Sequence, residues 1–226
     1  YPALSEDQGS TNSSNFDVLI FTQSWLPTVC YKVRKTNQTI KCNEPNNNDW
    51  IIHGIWPMIL HTITPLYCNK SLKFDSTALE PIEKEMRVKW MIADSQGEPM
   101  GFWQHEWDKH GTCSISLERL KNQRQYFQTG LELFDQYNIR KILNEAQIFI
   151  GYSYSIDNIL ERLTKVLGKR AMVACIYNSE KKESYFFEVR ICFDKSFNLI
   201  DCDGIHAFPT NCMKNKKVIY PDVAPK

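Results

Sequence analysis

Hydrophobic and polar positions along the chain alternate between two periods. From Phe16 to Trp25 the run Phe-Asp-Val-Leu-Ile-Phe-Thr-Gln-Ser-Trp is rich in β-branched and aromatic residues and predicts a buried strand. Trp50-Ile-Ile-His53 predicts a second, shorter one, with a polar, Asn-rich loop between the two; Gly54 and Pro57 then read as a turn that exposes His53. The middle of the chain is helical in pattern. Helices are predicted over 79–90 and 101–110, the second stopping near Gly111, with a break at Ser95-Gln-Gly-Glu-Pro99 between them and further helix over 117–137. Ser155 is a good N-cap for a helix whose apolar positions Ile156, Ile159, Leu160, Leu163, Val166 and Leu167 trace one core-facing stripe ending at Gly168. After it the period becomes two. Over 185–193, Phe187, Val189, Ile191 and Phe193 take one face and Glu188 and Arg190 the solvent face, as in a half-buried strand with 172–177 as its neighbour.

Strands at both ends and helices between them predict an α+β fold, a central antiparallel β-sheet packed by helices, in one domain spanning 16–226 behind a polar leader over 1–15. The formal charge of the 226 residues is +1, which excludes a sequence-blind polyanion binder, since such proteins neutralise many phosphates with excess Lys and Arg. No apolar run reaches the roughly 18–20 residues of a membrane-spanning helix, so no membrane span is expected. The 8 cysteines include no Cys-x-x-Cys pair, which favours disulfides over zinc or redox motifs. Sequons at Asn12, Asn37 and Asn69, and a chain that opens Tyr1-Pro2 without a charged leader, add to the expectation of a secreted glycoprotein whose signal peptide has been removed.

Two short segments are dense in groups that move protons. In Phe102-Trp-Gln-His-Glu-Trp-Asp-Lys-His-Gly-Thr-Cys113, a helix turning about 100° per residue places His105, Glu106, Lys109 and His110 at about 0°, 100°, 40° and 140°, on one face. Two imidazoles, a carboxylate and an ammonium in that arc suit a face that grips an anion and transfers protons; a merely solvated face would need no flanking Trp103 and Trp107. His105-Glu106 also begins the His-Glu-x-x-His zinc pattern, but the second ligand position holds Lys109, so no metal is expected. In the other segment, Trp50 to Pro57, His53 is the reactive candidate and Trp56 is either a stacking platform or a core residue. Cys68 and Cys113 could bridge the loop after His53 to the end of the His105 helix. His61 and His206 stand in no such context.

The two segments resemble the signatures of the ribonuclease T2 family, secreted acid endoribonucleases that work without a metal. His53-Gly54-Ile55-Trp56-Pro57 matches one, Phe102 through Cys113 the other, and the similarity extends from Phe16 to Cys212. The resemblance implies bridges Cys30–Cys42, Cys68–Cys113, Cys175–Cys212 and Cys192–Cys202. It implies cleavage of single-stranded RNA to 2′,3′-cyclic phosphate ends and then slow hydrolysis to 3′-phosphates, with no cofactor and no stable DNA partner. His110 would be the general base and His53 the general acid, with Lys109 and His105 stabilising the transition state and Glu106 orienting or sharing protons with His110. Trp56 would stack the first base, Phe102 and Gln23 would wall the second site, and base specificity would be low. Some relatives carry Asp where this chain has Met58, which removes the expectation of an adenine preference. A monomer is expected, secreted or in the lumen of an acidic endolysosomal compartment. A non-catalytic RNA- or cell-surface-binding scaffold competes with this reading, but it would be expected to have lost at least one of His53, Glu106, Lys109 and His110, and all are present. The basic residues Lys214, Lys216 and Lys217 read as a solvated tail.

Overall fold

The computed structural model describes residues 15–42, 49–62 and 64–226; apart from Asn15, the leader predicted over 1–15 lies outside them, as does the Asn12 sequon. The first predicted strand is β1 (Val18–Trp25), buried along its whole length. The segment that follows is not all loop. Leu26–Thr36 forms α1, started by Pro27 at its first turn and burying Leu26, Cys30 and Tyr31. The second strand, β2 (Trp50–Met58), runs through Gly54 and Pro57 instead of turning there. Proline is tolerated because β2 is an edge strand, where a missing ladder donor can face away from the neighbour.

Helices α2 (Glu80–Lys89) and α3 (Met100–Lys109) fall close to their predicted places. The helical stretch at 117–137 resolves into a short 3-10 turn and α4 (Gln123–Gln136), capped by Asn122. A further helix, α5 (Ile139–Glu145), capped by Asn138, lies beyond the predicted helical stretch. After β3 (Ser153–Ser155), α6 (Ile156–Leu167) starts at the Ser155 cap and ends at Gly168 in the left-handed conformation, φ 70°, as the pattern predicts.

Strands β4 (Met172–Asn178), β5 (Glu183–Phe193), β6 (Leu199–Ile200) and β7 (Lys217–Ile219) complete one sheet in the order β2-β1-β5-β7-β3, with β4 and β6 also paired to β5. Every pairing is antiparallel except β5 with β7, which is parallel. Lys217 therefore begins a strand instead of lying in a tail, and the segment beyond it is stitched down: Trp25 Nε1 donates to Pro221 O and Trp50 Nε1 to Tyr220 Oη. One sheet face, with Leu19, Phe21 and Ile55, packs against Trp90, Trp103, Tyr126 and Phe127 of the helical layer. The other buries Val18, Ile20 and Met58 against Met172, Phe187 and Cys192. The bridges join Cys30–Cys42, Cys68–Cys113, Cys175–Cys212 and Cys192–Cys202, as the resemblance implies. Among the described residues no helix is long and apolar enough to cross a membrane.

Candidate active site

The register of β2 on β1 sets the site. Thr22 faces Gly54 and Gln23 faces Ile52, so His53 is the extra residue of a β-bulge. A bulge re-aims the side chain it carries, and here the imidazole is turned toward β5. His53 Nδ1 lies 2.7 Å from Glu188 Oε1, and Trp90 Nε1 donates to the His53 carbonyl at 3.0 Å. Burial alone would lower the His53 pKa, but the Glu188 carboxylate, with Glu106 behind it, raises it above its ordinary value.

Glu188 and Arg190 do not form the solvent face that the alternation predicts. β5 sits between β1 and β4 and both its faces are covered, so Glu188 is 0 % exposed. Its charge is kept by Arg190, which donates through Nε and Nη2 to Oε2 at 3.1 and 2.7 Å, and by Ser24 Oγ, which donates to Oε1 at 3.1 Å. Although burial opposes ionisation, His53 and Arg190 together hold the Glu188 carboxyl well below the usual carboxylate range. The signal in the sequence was a Glu and an Arg inside an otherwise apolar strand, which period-two reading treats as a wet face.

From the other side α3 brings in Glu106, 1 % exposed. Its Oε2 accepts from Trp56 Nε1 at 2.9 Å and its Oε1 lies 3.9 Å from His53 Nε2. Burial raises its pKa, opposed by His53 and the Trp56 bond. The side-chain bond expected between Glu106 and His110 is absent among the described residues; the two are joined by backbone, His110 N donating to Glu106 O at 3.0 Å. Glycine is required at position 54, because a Cβ there would stand 2.2 Å from Glu106 Oε2 and 2.5 Å from Trp56 Nε1.

His110 is the residue that closes α3 instead of lying inside it, with φ −119° and ψ −47°. It is 7 % exposed, and its ring packs 5.4 Å from Trp56, whose other neighbour is the His53 ring at 4.9 Å. Burial, followed by the charges of Lys109, His53 and His105, pushes the His110 pKa down to about 2, so it is a neutral imidazole over the physiological range. Its Nδ1 is buried without a hydrogen-bond partner, which leaves Nε2 as the nitrogen available to a hydroxyl. Lys109, half-buried, has no carboxylate in salt-bridge range among the described residues. His105 is exposed, and partial burial plus Lys109 and His53 lower its pKa.

Trp56 is half-buried and belongs to this constellation more than to the core: imidazoles flank it and the Arg190 guanidinium lies 5.2 Å from its ring centre. Phe102 stands 5.9 Å from His53 and, with Ser24, Ile52, Met91 and Ala93, lines a cavity of about 290 Å³ beside it. Gln23 is not part of that wall. It is 1 % exposed, and its amide donates to Tyr137 O at 2.7 Å, which fastens the turn between α4 and α5. Ser24, its neighbour in β1, takes the place in the cavity that was expected of Gln23. His61 and His206, which stand in no reactive context in the sequence, both line a separate hollow beside Met58.

The arrangement is an imidazole paired to a carboxylate, a buried neutral imidazole and the Arg190 guanidinium around one indole. A model of the ribonuclease T2 family matches residues 16–202. The chain is similar to Ribonuclease Oy of Magallana gigas, 32% identical over 214 residues that cover 92% of this chain and 98% of that one. It is also similar to the crystal structure of human RNase T2, with TM-score 0.76 and 29% identity, covering 93% of this chain and 100% of that chain. A further solved structure, RNase NT in complex with 5′-AMP, gives TM-score 0.75 at 26% identity over 92% of this chain and 99% of that one.

Proposed function

The chain belongs to the ribonuclease T2 family and is an endoribonuclease, and we propose that it cleaves single-stranded RNA by transphosphorylation to 2′,3′-cyclic phosphate ends, followed by slow hydrolysis to 3′-phosphates, without a metal or other cofactor. The observation that carries this reading is the pair of imidazoles beside Trp56, one whose protonated form is favoured by carboxylates and the other held neutral by burial.

His110 takes the proton of the ribose 2′-hydroxyl, and that oxygen attacks the adjacent phosphorus; the attacking group belongs to the substrate, so it is already positioned. His53 gives a proton to the 5′-oxygen as the P–O5′ bond breaks. Negative charge growing on the non-bridging oxygens meets Lys109 and His105, and Glu106, hydrogen-bonded to Trp56 and facing His53, orients the acid side of the site. The first base stacks on Trp56 and the leaving nucleotide enters the cavity walled by Phe102, which makes for low base specificity because aromatic stacking accepts every base. Met58 is 2 % exposed and offers no carboxylate to read a purine edge.

RNA and the matching DNA incubated in EDTA from pH 4 to 9 test the reaction. Cyclic phosphate termini should come from RNA alone, because DNA lacks the nucleophile. Cleavage should be strong on the acidic side and fall as pH rises through the raised pKa of His53, since the acid is then empty. Full activity at pH 9 with none at pH 5, or loss of cutting in EDTA, would contradict the mechanism. Gly54→Ala should push Glu106 away from Trp56 and lower the cleavage rate by about tenfold or more, since ångström-scale misplacement is costly in a positioned site; steady-state rates at equal folded fraction measure it.

The catalytic unit is proposed to be residues 16–226 acting as a monomer. The strand at 217–219 and the bonds to Tyr220 and Pro221 support including the C-terminal segment. Four disulfides favour secretion or an acidic endolysosomal lumen. In the Asn37 and Asn69 sequons, Thr39 and Ser71 each donate N–H and hydroxyl to the Asn Oδ1, leaving the amide nitrogen free of these bonds for a glycan.

A further inference from the structure

We propose that Glu188 is a positioning residue for this reaction: it fixes the tautomer and direction of His53, so that the proton delivered to the departing 5′-oxygen is always on Nε2. The inference rests on the assignment of His53 as the general acid.

A histidine can donate from either ring nitrogen, and which one serves is set by the bond the other makes. Here Nδ1 is 2.7 Å from a carboxylate oxygen that is out of solvent, so Nδ1 carries a hydrogen and points inward. Nε2 is thereby turned to the other side, where Glu106 Oε1 lies 3.9 Å away. Glu188 can do this only while charged. Arg190 provides for that with two donors on Oε2, which leaves Oε1 for His53 and Ser24.

Arg190 has a second contact, over the face of Trp56. The contacts therefore close a ring: His53 to Glu188, Glu188 to Arg190, Arg190 to Trp56, Trp56 to Glu106, and Glu106 back to His53. Each member has its place fixed from two sides, so the acid does not depend on the mobility of one side chain. In the proton transfer the N–H bond at Nε2 breaks, the proton goes to O5′ as that oxygen takes the electron pair of the P–O bond, and the neutral ring keeps its Nδ1–H on Glu188. Serine proteases use a buried carboxylate on histidine for the same purpose, and removing that charge there costs about 10⁴ in kcat.

The charged and titratable groups that face His53 are Glu188 and Arg190 from β5, and Glu106 and His105 from α3, with His110 just beyond it. Glu188→Gln keeps the shape but removes the charge. On a dinucleotide RNA substrate kcat should fall by roughly 10²-fold or more with KM changed less than about threefold. The alkaline limb of the pH profile should move to lower pH, because His53 loses the charge that retained its proton. On a nucleoside 3′-(4-nitrophenyl phosphate), whose leaving group needs no proton, the same variant should approach wild-type rates. Glu188→Asp should recover part of the loss on RNA, and thermal unfolding of each variant shows whether the fold survives.

The proposal is overturned if Glu188→Gln keeps wild-type kcat and an unmoved alkaline limb on RNA while His53→Ala is inactive. It is equally overturned if a folded Glu188→Gln loses as much on the nitrophenyl ester as on RNA, since that is general damage. If His53→Ala is itself fully active on RNA, the assignment of the acid fails, and the role of Glu188 fails with it for that separate reason.

Discussion

Replacing His53 or His110 with alanine should each cut the rate of RNA cleavage by about 10²- to 10⁴-fold, the range that a positioned proton donor or acceptor supplies. The two losses have different physical content. On the proposed mechanism His53→Ala removes the proton that makes the 5′-oxygen a viable leaving group, but Glu188 keeps Arg190 and Ser24 as partners, so the fold should remain intact. His110→Ala removes the proposed base, an imidazole 7 % exposed and packed on Trp56, and leaves a small void there. Because the proposed acid and base serve the same displacement, the double variant should be little worse than the poorer single one. What remains is the binding and electrostatic contribution of Lys109 and the cavity beside Phe102. Initial rates on a defined dinucleotide, with thermal unfolding in parallel, measure this; a single variant within tenfold of wild type would remove that imidazole from the mechanism.

Much of this site could be read from the sequence, and the misreadings have common causes. The helix face carrying His105, Glu106 and Lys109 was visible because side-chain spacing on a helix is set locally, although His110 proves to lie at its cap. The cores of β1 and α6 were visible for the same reason, since a stripe or an alternation reports burial directly. The α1 helix was hidden by β-branched residues and by a start at Trp25 that has no side-chain cap, although Leu26, Val29, Cys30 and Val33 keep helical spacing. Gly54 and Pro57 looked like a turn. Both have reasons that local rules do not contain: Gly54 makes room for a carboxylate from a helix some fifty residues away in sequence, and Pro57 stands on an open edge. Glu188 and Gln23 were exchanged in effect. The polar residue taken for a substrate wall holds a turn in the interior, and the acidic residue taken for a wet face is fastened to His53. Whether a polar residue in a strand meets solvent depends on what covers both faces of the sheet, and that is decided by helices and loops far along the chain.

The Cys68–Cys113 bridge should matter to both stability and rate, and the comparison with another bridge separates the two. It spans 45 residues, and the loss of chain entropy in the unfolded state then corresponds to about 4 kcal/mol, against about 3 kcal/mol for Cys192–Cys202, which spans 10. For a chain of this size 4 kcal/mol lowers Tm by about 8–16 °C. The rate effect follows from position. Cys113 N donates to His110 O at 3.0 Å, and Tyr67 N, next to Cys68, donates to Lys109 O at 2.9 Å. Both halves of the bridge therefore hold the backbone of His110, the proposed base, and of Lys109, the proposed phosphate contact, where the chain leaves α3. Replacing Cys68 and Cys113 together by alanine should lower Tm by that amount and also reduce kcat by about tenfold at temperatures where the protein is folded, because the end of α3 is no longer pinned. Replacing Cys192 and Cys202 together by alanine should lower Tm with a smaller loss of kcat, since that bridge closes the β5–β6 hairpin and reaches the site only at its edge, where Cys202 Sγ lies 3.6 Å from Arg190 O. Thermal unfolding by circular dichroism and kcat at a common low temperature test both halves. If the Cys68 and Cys113 variant loses stability but turns over RNA at the full rate, the loop after β2 does not hold the base in place, and α3 positions His110 and Lys109 unaided.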